Sequence, residues 1–276
     1  MRINLLTPGF TTSNGSAFLF PFVVHKRALK EAQFDIRFVN RSSPGITDCD
    51  VLGIDSKEFR SGWKDESKTE TLELISSYSS RANKLVWFDT TDSSGTLQEQ
   101  VIPLVDNYLK SQLLADKSRH TSKIYGGRVI SEYYRDTAGI EDEVGGALDE
   151  PISAEDRKKL GVSWNSGLSD YSTYGPWRIA LYKRTGLPFL LRHPSAIQPP
   201  QNNRPNDLSA RFGATYSRAT VRYQRESITK LLVDRLDTQK LNRRGYMKEL
   251  QSSKVVLSPF GWGEITLKDF EVFLTG

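Results

Sequence analysis

Short apolar segments alternate with helix-like segments over the first 90 residues, and this alternation restricts the chain to few folds. The apolar segments are RINLLTP (2–8), DIRFV (35–39), DVLGID (50–55) and KLVWFD (84–89). Between the first two, apolar residues recur at helical spacing (Phe22, Leu29, Ala32), with Pro21 expected in the first turn of that helix. A further helix is predicted over residues 67–80. Strands that alternate with helices in this way predict an α/β protein with a doubly wound, mostly parallel sheet.

Two polar segments follow predicted strands and are therefore expected at the edge of the sheet where ligands bind. In doubly wound sheets this edge is formed by the carboxyl ends of the strands. The segment TSNGS contains Asn14, Gly15 and Ser16, which fit either a loop lining a cleft or the tight turn that starts a helix. The segment DTTDSSG contains Asp89 and Asp92, which fit either a general base or an Asp-rich turn that caps a helix.

Composition indicates a chain with a sizeable core in a reducing environment. Hydrophobic residues make up 37% and charged residues 26% of the 276 residues, which is ordinary for one large domain or two medium ones. Cys49 is the only cysteine, so an intramolecular disulfide is excluded. The N-terminal apolar run is interrupted at Pro8, unlike a signal peptide, and no stretch approaches the roughly 20 apolar residues that cross a bilayer. We therefore expect a cytoplasmic protein.

Charge is distributed unevenly along the chain. Residues 136–156 contain eight acidic residues and no Lys or Arg, whereas residues 177–250 contain fifteen Lys or Arg and five acidic residues. A basic segment suits an anionic partner such as a nucleotide, a nucleic acid or a lipid surface, and it also suits a solvated face. Aromatic residues lie near the basic ones, but no RRM, KH or helix-turn-helix pattern accompanies them, so we expect no nucleic-acid binding.

A proline-rich stretch divides the second half of the chain. Before it, we expect an amphipathic helix over 101–118, loops and short helices over 136–176, and a helix that ends at Gly186 and precedes a short strand, PFLLR. The stretch itself indicates a linker. The predicted organisation is an N-terminal domain (1–195), a proline-rich linker (196–207) and a C-terminal segment (208–276).

The C-terminal segment ends in a strand, a Gly-rich loop and a helix. It begins with a strand-like run, LSARFGATYS, and a helix for which Ser217 is the expected N-cap. A second helix, RRGYMKELQ, leads into a buried strand at 255–257 and then into the loop SPFGWGE. Gly261 and Gly263 in this loop allow backbone N–H groups to approach a phosphate, and a helix beginning near Glu264 would add a favourable dipole. An ordinary strand–turn–helix corner is the alternative.

Residues 243–276 resemble the donor-binding half of GT-B glycosyltransferases, particularly the exostosin-like and group 1 enzymes. The family pattern is matched at Tyr246, Lys254, Pro259, Gly261, Gly263, Lys268, Phe270 and Glu271. The resemblance covers 205–276, is weaker over 1–135 and is absent from 136–176. It implies two Rossmann-like domains of the GT-B type that face a cleft, with the C-terminal domain incomplete.

The resemblance also implies roles for individual donor-binding residues. Glu271 would accept hydrogen bonds from both ribose hydroxyls, while Lys268 and Arg218 would offset the charge of the leaving diphosphate. Lysine lacks the bidentate fork of the arginine that the family often carries at the position of Lys268. Glu264 would face the donor sugar or cap the helix. The loop residues Ser258, Gly261 and Gly263 would complete the donor site.

The function implied is glycosyl transfer from a nucleotide-sugar donor to an acceptor hydroxyl, in polysaccharide or lipopolysaccharide biosynthesis. Asp92 or Asp89 would be the catalytic base, and Asn14, Gly15 and Ser16 would form the acceptor-side loop. The nucleotide sugar is a co-substrate, and no other cofactor is expected. The expected partners are this donor, a glycan or glycolipid acceptor and, through peripheral contact, the inner face of a membrane.

Two alternative functions remain open at the level of sequence. One is a non-catalytic binding or assembly protein on a GT-B scaffold. The other is a metal-dependent GT-A enzyme that uses Asp48 and Asp50 of the segment DCD, although that segment precedes an apolar strand rather than following one. No other spacing suggests a metal site, and we predict none. Because the family pattern continues for about two more strand–helix units beyond Gly276, weak donor binding and slow turnover are also expected.

Overall fold

Six parallel strands form the main sheet of the computed structural model, which describes residues 1–143, 150–193 and 195–276. The strands are β1 (Arg2–Leu6), β2 (Asp35–Val39), β3 (Val51–Asp55), β4 (Leu85–Asp89), β5 (Asn107–Lys110) and β6 (Leu160–Val162). Their order across the sheet is β2-β1-β3-β4-β5-β6. The predicted α/β class with a parallel sheet is confirmed, as are its first four strands.

Helices cover both faces of this sheet, because its central strands alternate apolar side chains between the two faces. On one face Leu5 packs with Phe18 and Leu19 of helix α1 (Ser13–Val24). On the other, Leu6 belongs to a larger core that includes Ile75 of helix α3 (Asp65–Ser79). A short helix, α2 (Lys26–Glu31), follows α1 directly. The sheet therefore forms the middle layer of an α/β/α arrangement.

Helix α1 begins earlier than the sequence predicted. Thr12 is its N-cap, and the hydroxyl of Thr12 accepts a 3.0 Å hydrogen bond from the backbone nitrogen of Gly15. Asn14, Gly15 and Ser16 therefore form the first turn of a helix, so the prediction of a loop is wrong and its alternative, a helix start, is confirmed. Pro21 consequently lies in the last turn of α1 rather than in its first.

The helix predicted over residues 101–118 is wrong. Residues 107–110 form β5, which pairs in parallel with β4 so that Tyr108 lies beside Trp87. Single 3-10 turns at Ile102–Leu104 and Lys117–Thr121 flank this strand. Apolar residues in this region fit helical spacing, but pairing with β4 buries Tyr108 and Lys110 completely, and this tertiary contact decides the outcome.

The middle of the chain adds two helices and the edge strand β6. The helices are α4 (Val129–Ala138) and α5 (Gly175–Thr185). The predicted end of α5 is confirmed, since Gly186 adopts the left-handed conformation with φ +67°. The predicted strand PFLLR is wrong because Pro188–Leu190 forms a 3-10 turn that begins with the proline. Residues 144–149 of the acidic segment lie outside the described residues.

The C-terminal segment folds as a smaller unit around two parallel strands. Its elements are β7 (Asn206–Ser209), α6 (Ala219–Leu232), α7 (Arg243–Ser252), β8 (Ser253–Val256) and α8 (Leu267–Leu274). The N-cap residue of α6 is Arg218 rather than the predicted Ser217. The carboxylate of Asp142, which comes from the first half of the chain, accepts a 2.8 Å hydrogen bond from the backbone nitrogen of Thr220 and so replaces a side-chain cap.

The predicted linker packs closely against the C-terminal unit. Arg204 is only 6% exposed, and its guanidinium donates to carbonyl groups at the ends of α7 and α8, including Leu250 and Thr275. A cation at two helix C-termini is favourable because the carbonyl ends carry partial negative charge. The last two residues of the predicted linker belong to β7, since that strand begins at Asn206. None of the described helices is long and apolar enough to cross a membrane.

Candidate functional site

A cleft of 580 Å³ lies between the carboxyl edge of the main sheet and the C-terminal unit. Asn14 and Asp92 line it from the sheet side. The opposite wall is formed by residues of the β7–α6 connection, of α6 and of the loop between β8 and α8. The position agrees with the general rule for parallel sheets, in which ligands bind beyond the carboxyl ends of the strands.

The loop between β8 and α8 is fixed to the first half of the chain at two hydrogen bonds. The carboxylate of Glu264 accepts a 2.8 Å bond from the backbone nitrogen of Ser94, and the carbonyl oxygen of Trp262 accepts a 2.6 Å bond from Arg128. Between these points, Gly263 lies directly against the Asp92–Ser93 segment. The two walls of the cleft are therefore held together by specific contacts.

Four cationic side chains line the cleft, and three of them are held by other groups. Arg211 pairs with Glu249 and Asp237. Arg225 donates to three backbone carbonyl oxygens at 2.7–3.1 Å, and Lys268 donates to two at 2.5 and 3.1 Å. The exposed Lys240 makes no ion pair within the described part of the chain. A cleft with this charge favours an anionic ligand.

Aromatic rings form part of the same wall. The guanidinium of Arg225 lies 4.6 Å from the ring centroid of Tyr216, and this ring lies 5.9 Å from that of Trp262. Trp262 is 44% exposed. Aromatic faces next to cations suit a ligand that combines a planar ring with a charged group.

The start of helix α8 differs from the prediction. The helix begins at Leu267 rather than near Glu264, because Thr266 and Asp269 form a capping box. The carboxylate of Asp269 accepts a 2.7 Å hydrogen bond from the backbone nitrogen of Thr266. An acidic side chain thus already occupies the end of the helix that was expected to face a phosphate.

Six of the predicted site residues line the cleft: Asn14, Asp92, Ser258, Gly261, Gly263 and Lys268. Burial lowers the pKa of Lys268 to about 8, with a further contribution from the neighbouring guanidinium of Arg225. Asp92 lies in the loop after β4, where the side-chain amide of Asn14 donates a 2.9 Å hydrogen bond to its carboxylate.

The other predicted residues lie outside the described lining of the cleft. Glu271 is buried in an ion pair with Arg243 rather than facing the cleft. Arg218 lies 3.5 Å from the buried carboxylate of Asp142. Glu264 joins the two halves through Ser94, as described above, while Gly15 and Ser16 are buried in α1.

Asp89 is a buried structural residue and is unable to reach a ligand in the cleft. It is 0% exposed, pairs with Lys110 at 2.8 Å and accepts a 2.7 Å hydrogen bond from the hydroxyl of Tyr108. Burial opposes its ionisation, but the charge and hydrogen bond of Lys110 prevail and hold the pKa of Asp89 below its ordinary value. The prediction of Asp89 as a base is therefore wrong for a physical reason, namely its complete burial and pairing.

A polar network beneath the cleft was missed by the sequence analysis. Asp55 at the end of β3 accepts hydrogen bonds from Thr7 at 3.0 Å and Thr90 at 3.2 Å, and burial raises its pKa. Burial lowers the pKa of the nearby Lys57, against the opposing charges of Asp89 and other carboxylates. Asp55 ends its strand as Asp89 ends β4, and that shared position is the signal that could have indicated the network.

The DCD segment lies at the opposite edge of the main sheet. The backbone nitrogen of Arg2, at the start of β1, donates to the carboxylate of Asp50 at 2.6 Å. The amino ends of the strands lie there, away from the cleft. Within the described residues, no group of three or more His, Cys, Asp or Glu side chains is arranged to hold a metal ion.

The fold and the cleft together define an α/β protein with a basic, partly aromatic site at the carboxyl edge of a parallel sheet. Comparison with known proteins gives no further class, since no family model, no curated protein and no solved structure matches the chain.

Proposed function

We propose that this protein is a glycosyltransferase that moves a sugar from a nucleotide-sugar donor to an acceptor hydroxyl. The observation that carries the proposal is the cleft itself. It brings a carboxylate, Asp92, opposite a glycine-containing loop and two lysines, Lys240 and Lys268, within 580 Å³. A volume of this size is in the range of sites for small molecules and cofactors. Transfer needs both a base for the acceptor and cations for the leaving diphosphate.

On the donor side, the diphosphate would lie beside Lys240 and Lys268, with the hydroxyl of Ser258 as a further donor. The nucleobase would contact Tyr216 or Trp262, whose rings lie in the same wall. Arg225, which also lines the cleft, stabilises this wall because its N–H groups donate to backbone carbonyls.

On the acceptor side, Asp92 would remove the proton of the attacking hydroxyl. The amide of Asn14 orients its carboxylate through the 2.9 Å hydrogen bond. Of the two aspartates considered, Asp92 alone lines the cleft among the described residues. The acceptor would be a glycan or a glycolipid, as the family resemblance implies.

In the GT-B interpretation, residues 1–195 form an acceptor domain, residues 196–207 the linker and residues 208–276 an incomplete donor domain. The cleft between sheet edge and C-terminal unit is compatible with that arrangement. A place in polysaccharide or lipopolysaccharide biosynthesis at the cytoplasmic side of a membrane completes the proposal. The single cysteine, Cys49, fits such a reducing compartment.

A non-catalytic binding protein is the second candidate, and a specific observation favours it. Arg218 and Glu271, both implied in donor binding by the resemblance, are engaged with Asp142 and Arg243 instead. A scaffold that had lost transfer would tolerate such changes and still bind an anionic ligand in the basic cleft.

Titration calorimetry and turnover assays of the Asp92→Asn variant separate the two candidates. UDP, GDP, ADP and CMP would be titrated with and without Mg²⁺, and release of the nucleotide from the matching nucleotide sugar would then be followed. An enzyme should lose roughly 100-fold or more in turnover while its nucleotide affinity is retained. The matched control is Asp48→Asn, an exposed carboxylate at the opposite sheet edge, which should change neither quantity.

Other outcomes of these measurements would support a different function or contradict the proposal. Nucleotide binding without any turnover in the wild-type chain would support the binding protein. Loss of turnover in Asp48→Asn together with dependence on Mn²⁺ would support the GT-A alternative. Absence of binding to all four nucleotides would contradict both forms of the proposal.

A further inference from the structure

One side of the molecule, remote in sequence from the cleft loop, has little buried side-chain surface of its own. It is built from the edge strand β2, the short helix α2 and helix α5. No residue of β2 or α2 is fully buried, and Gly175 is the one buried residue that α5 contributes among those described. Helices and edge strands in contact with a core normally bury an apolar stripe.

A groove of 350 Å³ runs between these elements. Its apolar lining includes Phe22, Leu29, Ile36 and Phe38, and its cationic lining consists of Lys26 and Lys30. Tyr182 and Pro188 close the side nearest α5. The groove is therefore mainly apolar, with two lysines of α2 and the carboxylate of Asp35 at its border.

Large apolar side chains project into solvent around this groove. Leu187 and Phe189 flank Pro188 in the turn after α5 and are 44% and 68% exposed, and Phe38 of the edge strand is 44% exposed. Single exposed apolar residues are common, but a cluster beside an apolar groove marks an interaction surface.

The charge around these residues is mainly positive. Residues 22–38 and 177–193 together contain eight Lys or Arg and two acidic residues, Glu31 and Asp35. Both acids are paired with arginines of the same segments. Lys26, Lys30, Lys183 and Arg184 are exposed and make no ion pair within the described part of the chain. The ring contact between His25 and His193, with centroids 4.3 Å apart, brings the end of the second segment against the first.

We propose that this surface, defined by Phe38, Leu187 and Phe189 with Lys26, Lys30, Lys183 and Arg184, binds an anionic lipid bilayer. We call it the α2–α5 face. Projecting aromatic and aliphatic side chains would enter the interface between headgroups and acyl chains, while the surrounding cations pair with lipid phosphates. The combination of both features favours a bilayer over a soluble acidic partner, which would need the charges but not a projecting Phe189. The inference does not depend on sugar transfer.

Vesicle flotation with the full chain tests this proposal. Binding is expected to vesicles that contain phosphatidylglycerol and not to vesicles of phosphatidylcholine alone. The triple variant Lys26→Glu, Lys30→Glu, Lys183→Glu should lower the partition coefficient on the order of 100-fold. The matched control, Lys230→Glu, Arg244→Glu, Lys248→Glu, has the same net charge and alters exposed lysines and an arginine of α6 and α7. It should retain most of the binding.

Two further variants test the contribution of the apolar side chains of the α2–α5 face. Phe189→Ser should weaken vesicle binding roughly tenfold, and the loss should persist at higher salt because it removes apolar area rather than charge. Phe189→Trp should bind normally and shift its fluorescence to shorter wavelength with phosphatidylglycerol vesicles. Circular dichroism of each variant would check that it is folded.

Three outcomes would overturn the proposal. The first is equal binding to both kinds of vesicle, or to neither. The second is an equal loss in the triple variant and its charge-matched control, which would indicate non-specific attraction. The third is unchanged binding of Phe189→Ser, which would mean that the surface recognises charge alone and fits a soluble acidic partner.

Discussion

Gly263 packs so closely against Ser93 that a Cβ atom at the glycine would lie 2.7 Å from the backbone nitrogen of Ser93. The same Cβ would lie 2.7 Å from the side-chain nitrogen of Gln112. Gly263 lines the cleft and Ser93 directly follows the lining residue Asp92, so this contact joins the two walls. The absence of a side chain at this position thus allows the two halves to make contact.

We predict that Gly263→Ala lowers the free energy of unfolding by about 2 kcal/mol, because the methyl group meets backbone atoms that have little freedom to move. Gly261→Ala is the matched control in the same loop, since its Cβ would lie no closer than 3.6 Å to its neighbours. Urea denaturation of both variants provides the measurement. Equal losses would contradict the contact described here.

The buried pair of Lys110 and Asp89 should be one of the most sensitive points of the fold. Lys110→Met leaves the carboxylate buried without its cation, and a loss of about 3 kcal/mol in the free energy of unfolding is expected. Lys158→Met is the control, because its pair with Glu155 is largely exposed and should contribute less than about 0.5 kcal/mol. Denaturant titrations that gave similar values for the two would refute the structural role of the buried pair.

His120 should make stability depend on pH in a defined window. Burial, with a smaller effect of Lys110, lowers its pKa to about 4 from 6.5, so the folded state favours the neutral ring. The contribution to stability is complete above pH 6.5 and is lost as the pH falls toward 4. From this residue alone we expect a decrease of about 2 kcal/mol between roughly pH 7 and pH 5. The His120→Asn variant should show a flatter profile in the same urea titrations, and parallel profiles would contradict the prediction.

Lys268 should make the proposed nucleotide binding depend on pH in the alkaline range. With a pKa of about 8, its ammonium group loses its proton as the pH rises, and the attraction for a diphosphate falls. Between roughly pH 7 and pH 9 the affinity should decrease up to about tenfold. Lys268→Arg keeps its charge and should remove most of this dependence. Calorimetry at the two pH values provides the comparison, and identical profiles would exclude Lys268 from the binding step.

The parts of the fold that the sequence predicts are those in which the local pattern and the tertiary contacts agree. Strands β1, β3 and β4 are apolar runs between turn residues and are buried in the centre of the sheet, so both signals coincide. β5 was not predicted, because a lysine such as Lys110 is normally expected at the surface. Its burial becomes favourable only through the ion pair with Asp89. Only the neighbouring strand makes a buried lysine favourable, and no local pattern contains that information.

In the candidate site, too, some residues are placed by the local sequence pattern and others by tertiary contacts. Gly261, Gly263 and Lys268 were predicted to lie in one site because they follow a strand in a recognisable order, and all three line the cleft. Glu271 fits the same order but is turned toward Arg243, 28 residues earlier in the chain. The pairing between Arg218 and Asp142 is similarly non-local. Spacing along the chain indicates which residues of one loop lie near one another. It does not indicate their ion-pair partners, which are distant in sequence and are brought close only by the fold.

The hydrogen bond between Ser94 and Glu264 joins residues 170 positions apart in the chain. Strands β3, β4 and β5 of the main sheet, in contrast, are consecutive in sequence and adjacent in space. Closure of so long a loop costs conformational entropy before any contact compensates it, so the sheet should form early and the cleft late during folding. Formation of the Ser94–Glu264 hydrogen bond would then report the last step of folding, and a chain with native secondary structure would still lack the cleft until its two walls had met.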